Sequence, residues 1–137
     1  MEPLLLDTCA ALWIGSGAPI TPAASNVLAA AYEERLGVYV SPMTAWEVGM
    51  LVAKGRISLS ARPEVWFGEL LATPGIRLAD LSPQILILSS FLPDSPLRDA
   101  TDRIIATTAR ERGFTLMTRD RHLLDYAARG HIQAIEC

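Results

Sequence analysis

Short apolar runs, each set between longer stretches of helical spacing, recur along this chain and constrain its fold more than any other feature. Residues 4–6, 38–41, 76–81, 114–118 and 132–135 read as strands. Residues 9–14, 21–36, 44–54, 60–73, 83–92, 99–112 and 120–129 read as helices between and around them. Thr21-Pro22 and Ser82-Pro83 are helix starts, while Gly37, Gly55, Gly113 and Gly130 stand where helices stop. Strands joined through helices pair in parallel, and the helices cover both faces of the sheet. The pattern predicts a three-layer α/β/α fold with about five, mainly parallel strands, forming one domain over residues 1–137. Strand order is not readable from it.

Four acids fall where such a sheet presents its ligand-binding edge. Asp7 closes the first apolar run, and Asp120 follows the run ending at Thr118. Glu47 opens the amphipathic stretch after Thr44, and Asp102 begins the one leading into Ile104-Ile105. Each has a plain structural role available. Asp7, Asp99 and Asp120 suit helix N-caps, Thr44-x-x-Glu47 matches a capping box, and Asp102 suits a first helical turn. Independent capping leaves their shared edge unexplained, whereas converging carboxylates repel unless a cation holds them. Oxygen-only donors favour Mg²⁺, with Mn²⁺ as a substitute. Zinc is disfavoured, because Cys9 has no Cys or His at ligand spacing and His122 and His131 are isolated.

The net charge of −3 does not mark a nucleic-acid binder, but setting the four acids aside leaves the rest of the chain at +1. Eleven of the twelve basic residues are arginine, whose planar fork suits phosphate. Arg98, Arg119 and Arg121 flank the expected edge and are candidates for substrate phosphates. Half the residues are hydrophobic, which implies apolar surface covered by another chain. No apolar run reaches membrane-spanning length, no signal peptide is visible, and Cys9 and Cys137 read as reduced thiols. A cytoplasmic protein that does not contact membranes is expected.

Four segments in order resemble the PIN-domain family, and within it the VapC-type toxins of type II toxin–antitoxin pairs. They are Leu5-Leu6-Asp7-Thr8, Ser41 through Glu47, Asp99 through Ala106, and Leu116 through Asp120. The resemblance covers essentially the whole chain. It implies a metal-dependent RNA endonuclease using Asp7, Glu47, Asp102 and Asp120, supported by Thr118; Asp99, from its own position, reads as a cap or a residue supporting the ligands. It also implies RNA as substrate, a homodimer, a VapB-like antitoxin as partner, and no DNA binding by this chain itself. Relatives often carry proline where this chain has Ala100, a change that spares every carboxylate. Two alternatives remain open: a PIN nuclease for RNA maturation, and a PIN-like protein that binds RNA or a partner without cutting. Phosphoacceptor and phosphoaspartyl domains fit poorly, since the only lysine is Lys54 and the first strand is followed by Asp7-Thr8-Cys9 rather than Asp-x-Asp.

Overall fold

A computed structural model describes residues 2–137. Five strands form one sheet: β1 (Leu4–Leu6), β2 (Val38–Val40), β3 (Ile76–Leu78), β4 (Thr115–Thr118) and β5 (Gln133–Glu136). Their order is β3-β2-β1-β4-β5, and every pairing is parallel. Among the described residues seven α-helices join them: α1 (Thr8–Ser16), α2 (Pro22–Glu33), α3 (Pro42–Ala53), α4 (Pro63–Ala72), α5 (Pro83–Leu88), α6 (Ala100–Arg112) and α7 (Arg121–Ala128).

The strands alternate faces, and each face has its own core. Leu4, Leu6, Val38, Val40 and Met117 point to one side, where they meet Ala10, Ala24, Ala31, Val48, Trp66 and Leu70 of α1 to α4. Leu5 and Leu116 point to the other, against Ile105, Ala106, Ala109, Leu123 and Tyr126 of α6 and α7. Leu4, Leu5 and Leu6 are fully buried, and burial of each contributes roughly 1.5–3 kcal/mol. A three-residue strand survives because it is central and covered on both sides. Among the described residues no helix is long and apolar enough to cross a membrane.

Proline at the first turn recurs at α2, α3, α4 and α5, where a missing N–H is harmless. That regularity corrects one expected boundary. α3 begins at Pro42 and is capped by Ser41, whose Oγ accepts from the Met43 N–H at 3.0 Å, and not at Thr44. Thr44 is instead fully buried, with its hydroxyl 3.3 Å from that of Thr8. Three smaller differences follow. α2 stops at Glu33 rather than near residue 36, β3 ends at Leu78, and α5 gives way to a 3-10 turn at Ser89–Phe91. α6 forms without a proline in its first turn, since Asp99 supplies the cap and Gly113, at φ 69°, supplies the left-handed stop.

Candidate metal centre and active site

Parallel pairing puts the C-terminal ends of β1 and β4 side by side, so the residues that follow them become neighbours. The Asp7 N–H donates to the Met117 carbonyl at 3.1 Å, extending the ladder one step and fixing the Asp7 backbone to the sheet. Asp7 then caps α1, with Oδ1 accepting from the Ala10 N–H at 2.8 Å. Its Oδ2 accepts from the Thr118 hydroxyl. The same Thr118 oxygen accepts from the Asp120 N–H at 3.0 Å, and Asp120 caps α7 through the Leu123 N–H at 3.1 Å. One fully buried hydroxyl therefore ties the first acid to the last.

Asp99 caps α6 by accepting from the Asp102 N–H at 3.0 Å, which sets Asp102 in the first turn of the helix. Glu47 lies in the second turn of α3, beyond reach of its N-cap, so the capping-box alternative for this carboxylate falls away. All four acids and Asp99 line one cleft of about 270 Å³, floored by Leu51 and Ile105. Capping and convergence are compatible: a cap engages one carboxylate oxygen and leaves lone pairs for a second partner.

Burial and crowding both disfavour the charged forms of these acids. Burial, then the carboxylates of Asp120, Asp99, Glu47 and Asp7, pushes Asp102 up from the usual range to about 7. Burial raises Asp7 as well, against the hydrogen bonds from Thr118 and Ala10 that favour its charged form, and Asp120 and Glu47 raise it further. The N-termini of α1, α6 and α7 meet at this cleft, and their positive ends offset part of the repulsion. As the side chains are set, no three His, Cys, Asp or Glu residues among those described form a ready-made cage for an ion. The donor chemistry suits a hard divalent cation, while closure around one requires side-chain rotation. Such partly open sites are ordinary for Mg²⁺, which keeps waters and recruits substrate phosphate. Cys9 faces the same cleft, but burial and the surrounding carboxylates push its thiol up to about 11, away from the thiolate a soft metal needs.

Thr118→Val keeps the shape and deletes the hydroxyl, leaving Asp7 Oδ2 and the Asp120 N–H without their partner. A loss of about 1–3 kcal/mol in unfolding free energy is expected by denaturant titration. Any catalytic rate should fall about 10- to 100-fold, as for other groups that orient metal ligands.

The three arginines expected at phosphates divide. Arg98 and Arg121 are exposed, Arg121 directly after Asp120 and Arg98 directly before Asp99. Arg119 is turned away from the cleft. Its guanidinium lies 3.6 Å from the Trp13 ring centre and donates to the carbonyls of Cys137 at 2.9 Å and Pro19 at 3.2 Å. It pins the C-terminal strand to α1 and the loop after it. Arg103, not singled out in the sequence, is a second such brace, donating to the carbonyls of Ser89 at 2.8 Å and Leu97 at 2.6 Å. Of the tryptophans, Trp66 is core, Trp13 is half-buried and Trp46 is 58% exposed.

Comparison with known proteins gives concordant results. Residues 4–129 match the family model described as "PIN domain". The chain is 31% identical over 125 residues to "Ribonuclease VapC22" of Mycobacterium tuberculosis, covering 90% of this chain and 91% of that protein. Among solved structures it resembles VapBC2 from Rickettsia felis bound to a promoter DNA fragment, with TM-score 0.72, 14% identity and 98% of both chains covered. It also resembles DNA-bound VapBC from Salmonella typhimurium, with TM-score 0.63, 18% identity, and 99% and 98% of the two chains covered.

Proposed function

The chain belongs to the PIN-domain family and, within it, to the VapC-type group, and on that premise we propose that it is a divalent-metal-dependent endoribonuclease, the toxin of a VapBC-type pair. The observation that carries this reading is the convergence of Asp7, Glu47, Asp102 and Asp120 on one cleft at the C-terminal edge of a parallel sheet. Those four residues would hold Mg²⁺, or Mn²⁺ in its place. When bound, the ion supplies Lewis acidity for attack of water on a phosphodiester.

The protein's own part is positioning. The sheet bond to Met117 and the α1 cap fix Asp7, the Thr118 hydroxyl aligns Asp7 with Asp120, and the Asp99 cap sets Asp102. Glu47, in the second turn of α3, would approach the ion from a different helix than those that Asp7, Asp99 and Asp120 cap. Arg98 and Arg121, exposed and adjacent in sequence to Asp99 and Asp120, are the phosphate contacts we retain from the sequence. The partner reading rests on apolar exposure: Ile87 is 63% and Phe91 75% exposed, four residues apart on α5 and the turn after it. We assign this surface to a second copy of the chain, and capture by a VapB-like antitoxin to the same assembly.

Two experiments follow. Purified chain freed of any partner should cleave single-stranded RNA with Mg²⁺ or Mn²⁺ and stop on addition of EDTA. Binding without cleavage under any divalent ion would favour the non-cutting alternative instead. Light scattering should give at least a dimer at micromolar concentration, and Phe91→Glu should shift it toward monomer; a clean wild-type monomer would remove the dimer assignment.

A further inference from the structure

Beside the acid cleft lies a second, larger cavity of about 540 Å³, walled by Pro96, Leu97, Arg98 and His122 and sharing Asp99 and Asp102 with the cleft. Its volume lies within the range of small-molecule sites, so it has room for one nucleotide. Its chemistry differs from that of the cleft. Pro96 and Leu97 give an apolar side, while Arg98 and His122 offer two flat, delocalised groups at the rim.

This wall is built in advance of any ligand. The Leu97 N–H donates to the Ser95 Oγ at 3.1 Å, tying the backbone of Leu97 to the side chain two residues before it. Arg103, from the first turns of α6, donates to the Leu97 carbonyl at 2.6 Å and the Ser95 Oγ at 3.5 Å, with its Nε on the Ser89 carbonyl at 2.8 Å. The residue after Asp102 thus braces the loop that leads into Asp99. Cavity wall and acid site are therefore held by one element.

A phosphate is a poor occupant, because Asp99 and Asp102 line the same space. A neutral, flat, mostly apolar group suits it better. We infer that this cavity receives the nucleobase of a nucleotide adjoining the scissile phosphate, with His122 as the specificity-determining residue and Arg103 as the positioning residue for its wall. Single-stranded RNA is commonly read this way, by splayed bases stacked on aromatic or guanidinium planes. The inference rests on the ribonuclease reading of the acid cleft, so its test pairs a cleavage measurement with a binding measurement.

In the first, short single-stranded RNAs varied at each position around the cut are cleaved by the full chain. His122→Ala should raise KM about fivefold or more, keep kcat within about twofold, and flatten the base preference at one position. His122→Phe, which keeps the plane, should restore KM. Arg103→Lys, which keeps charge but loses the fork, should weaken the same preference. Unchanged KM and unchanged preference in His122→Ala would overturn the inference. In the second, 5′-ribonucleoside monophosphates are titrated into the isotope-labelled Asp7→Asn chain, where no cleavage is needed. Shifts at the His122 ring and the Leu97 amide, absent with inorganic phosphate, are expected. Equal shifts with inorganic phosphate, or none with any nucleotide, would overturn it. Shifts from nucleotides without RNA cleavage by the wild-type chain would uphold the base site and count against the nuclease reading alone.

Discussion

Asp7→Asn should lower RNA cleavage by at least about a hundredfold while melting at or above the temperature of the unaltered chain. The two halves of that expectation come from the two jobs of one side chain. As a cap, asparagine serves as well as aspartate: its oxygen still accepts from the Ala10 N–H, and the Thr118 hydroxyl rotates to accept from the new amide. As a carboxylate, Asp7 is unfavourably placed in the absence of a cation, since burial and the charges of Asp120 and Glu47 all oppose its ionised form. Removing that charge relieves the folded state and disables the site. If Asp7 were only a cap, the substitution would leave cleavage untouched. A cleavage rate and a melting curve on the same preparation separate the two cases.

The metal-free chain should lose stability as pH rises from about 4 to about 7. The sign follows from Asp102. Its carboxyl would ordinarily titrate at 3.8 and is held at about 7 in the folded chain, chiefly by burial. Between those values the folded state keeps a proton that the unfolded state has released, so raising pH favours unfolding. Asp7 is shifted in the same direction and adds to the trend. With EDTA present, the melting temperature should therefore fall between pH 5 and pH 8 at constant ionic strength, and Asp102→Asn should flatten the slope. Millimolar Mg²⁺ should restore a few degrees at pH 8 and little at pH 5, where protons occupy the same oxygens. A melting temperature that climbs across this window without metal would contradict the burial and crowding of Asp102.

The architecture was legible because strand and helix signals alternate strictly, and because β1, β2 and β4 are apolar on both faces. Strand order was not, since nothing local in Leu4–Leu6 says that it lies between β2 and β4. The four acids were found from their places at strand ends and helix starts. At Glu47 the local signal misleads, because Thr44 three residues earlier imitates a capping box. Ser41-Pro42 carried the same start signal as Thr21-Pro22 and Ser82-Pro83, and would have moved the cap to its true position. Thr44 went inward because the α1–α3 packing needs a small polar side chain against Thr8.

Arg119 shows a different limit. Its neighbour Asp120 reaches the cleft, but successive residues leaving a strand point to opposite sides, and the Trp13 ring and two carbonyls were available on the other one. Arg103 was invisible for a related reason: its partners are backbone carbonyls in a loop, and carbonyls have no sequence signature.

Diffraction from crystals soaked in Mn²⁺ tests the centre of this account most directly. An anomalous peak among the carboxylates of Asp7, Glu47, Asp102 and Asp120, with Glu47 rotated inward to meet it, is the expected result. Peaks only at surface acids outside the cleft, with those four side chains unmoved, would contradict it.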